Sequence, residues 1–341
     1  MTTIRDIAKK AKVSVGTISN YLNNPDIVAE ETRLNIKKTI EDLDYHPKAA
    51  ARSLKSKFNR RIGLVPLINI EDNHSLDPGD TAFLEFLSAV NTVAAENNFD
   101  ILLSTAIAST MELNIYKRLV GESQVDGIVM MGMRIDDPRV RLLHDLNFPF
   151  ITYGQTTCSF EYSYVDVDGY SGIYSAVELL YELRHRKIAY LKPPDDLMLS
   201  LQRWNGFQQA AMDLNIEITE DYLVQCGFNE SSGQFAMNKL LDLPHPPTAV
   251  IAPNDLAAFG AMRALQLHGL VAGKDISIVG FDDIKMAAHW YPSLTTISQP
   301  FRRIGFEVVK SLIGLITGTQ QNYQSIIKPQ LIVRQSTGPV P

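Results

Sequence analysis

The sequence predicts an α/β protein in two parts, an all-α head and a body of two doubly wound parallel-sheet subdomains. Three observations predict it. The hydrophobic period changes near residue 62, from helical spacing to short apolar runs alternating with helical stretches. Charge changes at the same place: residues 1–61 hold 13 Lys plus Arg against 7 Asp plus Glu, whereas residues 62–341 hold 19 against 31. The length of 341 residues is also about twice that of a typical domain, ~150 residues, so one small and one large unit fit.

The head reads as three short helices. Thr3 and Asp6 stand at the N-cap and N3 spacing of a capping pair, and Ile4, Ile7, Ala8 and Ala11 form one apolar stripe. Ser14 caps a second helix after a short turn, with Val15, Ile18 and Leu22 on one side and Gly16, Thr17, Asn20 and Tyr21 offset from them. Asn23, Asn24 and Pro25 stop it. Glu30 to Leu43 forms the third, acidic in its first turn, with Ile36, Ile40 and Leu43 facing inward. Residues 46–61, HPKAAARSLKSKFNRR, then carry six basic residues and no acid around an Ala-rich centre. By composition this is either a solvated linker or a basic hinge, and the interleaved Leu54 is unusual for a linker.

In the body, IGLVPL, FDILLSTA, VDGIVMMG, FPFITYG, KIAYLKP, TAVIAPN and ISIVGF read as buried strands. Phe83 to Asn97, Gly169 to Leu183 and Leu256 to His268 read as helices between them. So many strands fit two subdomains better than one very wide sheet. The expected limits are 1–46 for the head, 47–61 for the hinge and 62–341 for the body. Within the body the expected division is 62–160 plus 293–323 and 161–292 plus 324–341.

Composition excludes several classes. No apolar run reaches the ~18 residues of a spanning helix, and the N-terminus lacks the apolar core of a secretory signal, which predicts a cytoplasmic protein with no membrane partner. Cys158 and Cys226 fit neither a disulfide framework nor a zinc spacing and read as buried thiols. No GxSxG, GxxxxGK, GxGxxG or HExxH motif is present, and the seven histidines show no metal spacing, so neither a cofactor nor a metal is expected. Asp166, Asp168, Asp255 and Asp282 are the carboxylates an enzyme would have to use.

The basic head can neutralise phosphates, while the acidic body should not remain on DNA by itself. A second helix entering the major groove N-terminus first would present Val15, Gly16, Thr17 and Asn20. Asn20 suits bidentate pairing with adenine and Val15 a thymine methyl. Ser14, Thr17, Ser19 and Tyr21 offer hydroxyls for phosphates. The plainer reading is a surface helix of a small bundle.

TIRDIAKKAKVSVGTISNYLNN, VAEETRLNIKKTIEDLDYHPKAAARSLKS and IGLV, followed by IAYL, RWNGF, PNDLAAFGAMRAL, ISIVGFDD and SLTTISQP, closely resemble the landmarks of the lactose-repressor (LacI/GalR) family over essentially the whole chain. The resemblance implies a transcriptional regulator, a repressor of sugar-utilisation genes, whose body is similar to periplasmic sugar-binding proteins. It implies a homodimer or tetramer on a palindromic double-stranded operator, with a small carbohydrate effector. The absence of a long tail after Gln335 favours the dimer. The implied DNA contacts are Thr3, Ser14, Val15, Gly16, Thr17, Ser19, Asn20 and Tyr21, with Ala51, Leu54 and Lys55 in a hinge that becomes helical on DNA. There Leu54 would wedge into the minor groove and bend the site.

The implied effector residues lie at strand ends facing a crevice. Arg203 resembles a ligand-contacting arginine, Phe228 a stacking aromatic, and Asp282 a hydroxyl-binding aspartate. Asn254 and Asp255 end TAVIAPN similarly, and Asp168 matches a further cleft aspartate. Carboxylates, an arginine and an aromatic face suit a neutral sugar. Alternative roles stand beside these: Asp255 as a helix N-cap, Asp282 as a turn cap, Phe228 as core and Arg203 as a structural ion pair.

Three departures from the family's pattern stand out. INIEDNHSLDPGDTAFLEF is longer than usual after the first strand, leaving the first-subdomain side of the pocket open. Gly169 replaces a frequent asparagine, and Arg184 a frequent glycine. RIDDPRVRLLHDLNFPFITYGQ most resembles the subgroup linked to α-glucoside operons. The competing classes are a free sugar receptor, which would need an export signal and no basic head, and a sugar-acting enzyme of similar fold.

Overall fold

The computed structural model describes residues 3–43, 58–66, 81–106 and 109–340, so Ala51, Leu54 and Lys55 lie outside the described residues. Two compact units emerge, Met1–Asn59 and Arg60–Pro341.

In the first unit, helices α1 (Ile4–Ala11), α2 (Val15–Asn23) and α3 (Glu30–Asp42) surround a core of Ile7, Ala8, Ala11, Ile18 and Ile36. The Thr3–Asp6 capping box is complete: the Asp6 carboxylate accepts from the Thr3 backbone N–H at 2.8 Å, and Thr3 Oγ1 accepts from Asp6 N–H at 3.4 Å. Lys12 ends α1 in the left-handed region, φ 55°, which turns the chain sharply toward α2. Asn35 Nδ2 donates to the Ala11 carbonyl at 3.0 Å and so ties α3 to that turn.

In the second unit, two six-stranded sheets form. The first has β1 (Arg61–Leu64), β2 (Asp100–Leu103), β3 (Gly127–Met130), β4 (Phe150–Tyr153), β5 (Tyr164–Val167) and β11 (Gln324–Ile327) in the order β11-β5-β4-β3-β1-β2, all parallel. The second has β6 (Ile188–Lys192), β7 (Leu223–Gln225), β8 (Ala249–Ile251), β9 (Ser277–Asp282), β10 (Thr295–Ser298) and β12 (Gln330–Ile332) in the order β12-β10-β9-β8-β6-β7. Only β12 runs antiparallel to its neighbour. Around the first sheet come α4 (Thr81–Glu96), α5 (Ser109–Gly121), α6 (Pro138–Asp145) and α12 (Phe301–Thr317). The second is served by α7 (Gly169–Glu182), α8 (Met198–Asp213), α9 (Glu230–Leu241), α10 (Asp255–Leu267) and the short α11 (Lys285–His289). Near-continuous burial of β3, β8 and β9 explains why these strands read as apolar runs.

The two sheets divide the chain differently from the expected limits. Strands β5 and β11 pair with each other in the first sheet, Tyr164 opposite Gln324, and β10 lies in the second sheet beside β9. The chain therefore crosses after β5, after β10 and after β11. Hydrophobic pattern marks a strand but not its partner, which is chosen by contacts remote in sequence.

Candidate reading helix and effector cleft

Helix α2 is started by Ser14, whose Oγ accepts the Thr17 backbone N–H at 3.0 Å and lies 2.9 Å from Thr17 Oγ1. Those two hydroxyls hold the first turn together, while Thr3 caps α1. Tyr21 packs partly against the head core, and Thr17 and Ser19 are half-buried. Val15, Gly16 and Asn20 are exposed along the helix. The surface thus offers one apolar and one amide side chain beside a glycine.

In the second unit, a cavity of about 200 Å³ is lined from both sheets. Arg203 of α8, Phe228, Asn254 and Asp282 line it, four of the six effector residues expected from the sequence. Arg203 is buried; its guanidinium lies 3.5 Å from the centroid of the Phe281 ring, and Nη1 donates to the Pro253 carbonyl at 2.7 Å. Its Nε has no hydrogen-bond partner among the described residues. Burial disfavours its charge, opposed chiefly by Asp282. Gly169 lies against the arginine stem, where a Cβ would meet Arg203 Cγ at 3.1 Å, a tight contact.

Asp282 ends β9 with φ 126°, and Asp283 follows at φ 57°, both in the left-handed region. Such a conformation is costly for a non-glycine residue and aims the Asp282 side chain off the strand. Gln299 Nε2 donates to Asp282 Oδ1 at 2.5 Å, and Tyr153 donates its hydroxyl to Gln299 Oε1 at 2.7 Å. This chain of bonds runs from the end of β4 to the end of β9. Asn254 is the N-cap of α10, accepting from Ala257 N–H at 2.9 Å while its amide donates to the Phe228 carbonyl at 2.9 Å.

Two expected effector residues lie elsewhere. Asp168 does not line the cavity; its Oδ1 accepts from Ser171 N–H at 3.0 Å and caps α7. The cleft carboxylate on this strand is Asp166, which accepts from Gln155 Nε2 at 2.9 Å and Gln202 Nε2 at 3.0 Å. Burial pushes its carboxyl up, against those hydrogen bonds. Period-2 alternation puts Asp166 and Asp168 on one strand face, but β5 ends at Val167 and Asp168 turns into the cap. Asp255 is wholly buried away from the cavity, accepting from Thr296 Oγ1 at 2.5 Å and Ile284 N–H at 2.9 Å. Burial pushes it up to about 7. It fastens β10 and the turn after β9, and Asn254 takes the N-cap position considered for it.

The first-sheet wall, left open by the sequence, is supplied by Phe83 and Phe86 of α4, Tyr153, and a charged cluster. Phe86 stacks on Tyr153 with centroids 5.2 Å apart. In the cluster, Arg139 meets Asp137 at 2.6 Å and Glu112 at 3.2 Å, and Arg134 meets Glu112 at 2.7 Å. These buried charges satisfy one another. Near them the two halves of the body are clasped: Ile135 N–H donates to the Asp196 carbonyl and Met198 N–H to the Met133 carbonyl, each at 2.9 Å. Arg134 and Leu197 form an antiparallel bridge between those bonds.

Of the other sequence expectations, Cys226 is a buried thiol, but Cys158 is exposed. Arg184 adopts φ 71° just beyond α7, the left-handed helix-end conformation that explains a frequent glycine there. No helix among the described residues is long and apolar enough to cross a membrane.

Residues 3–48 match a family model described as bacterial regulatory proteins, lacI family, and residues 177–337 match a periplasmic binding protein-like domain. Over 345 aligned positions the chain is 31% identical to the HTH-type transcriptional repressor PurR of Escherichia coli (strain SMS-3-5 / SECEC), covering all of this chain and 98% of the relative. The chain belongs to the lacI family. The lac repressor dimer bound to operator and the anti-inducer ONPF superposes on this LacI-family chain with a TM-score of 0.88 at 25% identity, covering 99% of each. The transcriptional regulator CelR in its cellobiose complex superposes at 0.75 with 28% identity, covering 98% of this chain and 100% of that one. The LacI-family protein is accordingly a DNA-binding transcriptional regulator and not an enzyme, and α2 is the second helix of its helix-turn-helix.

Proposed function

We propose that this LacI-family regulator represses carbohydrate-utilisation genes and releases its operator when a small carbohydrate, of the α-glucoside class, fills the cleft. The observation that carries the effector reading is Arg203: a buried guanidinium with an unpartnered Nε, lining a cavity that also holds Asp166, Asp282 and the ring of Phe228. Carboxylates and an arginine pair with vicinal hydroxyls, and rings cover the C–H faces of a sugar. The cellobiose complex of a similar regulator supports a glycoside, and the segment RIDDPRVRLLHDLNFPFITYGQ supports the α-anomeric class.

On DNA, a homodimer meets a palindromic operator through Val15 and Asn20 on bases and Thr3, Ser14, Thr17, Ser19 and Tyr21 on phosphates, with Gly16 allowing close approach. The segment 47–61 acts as the hinge between head 1–46 and body 62–341, with Leu54 as the wedge between Ala51 and Lys55. A ligand shifts operator affinity only by its differential affinity for the two cleft states.

The test is a thermal-shift screen of mono- and disaccharides followed by operator titration of the purified protein. Maltose or another α-glucoside is expected to raise the unfolding midpoint and weaken operator binding. Stabilisation by β-glucosides alone would overturn the anomeric class, and tighter operator binding with sugar would reverse the sign of control.

A further inference from the structure

Three consecutive residues at the start of α10 each hold a different wall of the effector cleft. The Pro253 carbonyl accepts from Arg203 Nη1 at 2.7 Å, and Asn254 Nδ2 donates to the Phe228 carbonyl at 2.9 Å. Asp255 reaches the third wall at one remove: its Oδ2 accepts the Ile284 N–H at 2.9 Å, two residues beyond the cleft's Asp282. The carboxylate lies against β9, where a Cβ on Gly280 would collide with its Oδ1. It is wholly buried, and burying such a group is costly unless its bonds to the chain offset the lost water.

The turn it grips is strained. Asp282 and Asp283 have φ of 126° and 57°, and successive non-glycine residues at such angles persist only where their surroundings over-determine them. Asp255 supplies one restraint from the interior. Arg334, just beyond β12, supplies another: its Nη2 meets Asp283 Oδ1 at 2.6 Å while its Nη1 donates to the Leu294 carbonyl at 2.8 Å. We infer that Asp255, which does not line the cavity, is a positioning residue of the effector cleft, with Arg334 as its support. Together they hold the strained turn so that the Asp282 carboxylate meets a carbohydrate hydroxyl. The inference rests on the cleft being the effector site.

The test is calorimetric titration of the full-length protein with maltose and, in parallel, cellobiose. Asp255→Ala is expected to weaken binding of the sugar recognised roughly tenfold, and to weaken it no further in a protein already carrying Asp282→Ala. Asp255→Asn should restore the affinity, because an amide can still accept from Ile284 N–H while donating to Thr296 Oγ1. Thr296→Val removes the carboxylate's other bond and leaves the turn's in place. It should lower the unfolding midpoint yet keep sugar affinity within about twofold. Arg334→Leu, at a partly exposed position, should lose affinity severalfold through Asp282 alone, and it decides the matter if Asp255→Ala does not fold. Equal affinity losses in Asp255→Ala and Thr296→Val would make Asp255 merely structural and overturn the proposal. So would an undiminished loss in the Asp282→Ala protein, or no rescue by asparagine. A parent blind to both sugars, or an Asp282→Ala protein that binds as the parent does, would instead overturn the cleft reading and this inference with it.

Discussion

In the head, the candidate readers Val15 and Asn20 stand exposed on one short helix, whereas in the body Asp166, Arg203 and Asp282 are buried and already held by neighbours from other elements. The difference teaches how far each region depends on its own segment. A capped helix displays its surface residues wherever its core packs, so head recognition is a local property. The cleft is assembled from strand ends that meet only when both sheets form, and the point at which β5 stops decides whether a carboxylate faces the cavity or caps a helix.

The sharpest way to break this comparison is Arg203→Ala. Truncating a buried, hydrogen-bonded cation is expected to weaken carbohydrate binding by about 100-fold or more while leaving sugar-free operator affinity unchanged. Calorimetry with the sugar and anisotropy with the operator measure the two arms, and an unaltered sugar titration would remove Arg203 from the site.

A second test compares neighbours on one strand. Asp166→Ala should lower sugar affinity roughly 10- to 100-fold through lost charge-assisted hydrogen bonds. Asp168→Ala should cost ~1 kcal/mol of stability, as a lost N-cap, with affinity retained. Equal affinity losses in both would show that the cap and the cleft are not separable.

For the head, Asn20→Ala is expected to reduce discrimination at one operator position by ~1–3 kcal/mol, read by competition among single-base operator variants. A uniform loss across all sequences would instead assign Asn20 to the backbone.

A last test isolates Asp255. Its folded-state value, about 7, lies above its ordinary 3.8, so the folded protein binds the extra proton between these limits. Its contribution is full at the acid end and is lost as pH rises through about 7. The stability of the parent relative to Asp255→Asn should therefore fall as pH rises from about 4 to 7 and stay level above. A difference independent of pH would show that the carboxyl does not titrate there.

Among site residues, legibility followed the same division. Ser14 as a cap and Val15 and Asn20 on the α2 surface follow from helical spacing alone. Arg203, Phe228, Asn254 and Asp282 were legible because each sits in a segment with a family likeness. Asp166 was visible in YVDVD only as one of two same-face aspartates, and nothing local says that β5 stops at Val167. Gln155 and Gln299 lie inside segments with a family likeness, and Gln202 beside Arg203, yet nothing local marks them as site residues; pairing with Asp166 and Asp282 gives them their positions. The Glu112–Arg139 cluster was equally hidden, since its members are 27 residues apart and look like ordinary surface charges.

By itself the sequence determined the helical head, the alternating body, the charge boundary near residue 62 and the family. These depend on periodicity, capping and composition, which act over a few residues. Only the tertiary structure decided which sheet receives β5, β10 and β11, that Asp255 is an internal fastener, and that Asp166 rather than Asp168 faces the cavity. Strand partners and buried hydrogen bonds are chosen between segments far apart in the chain, where the free energy of burying a polar group depends on what meets it there.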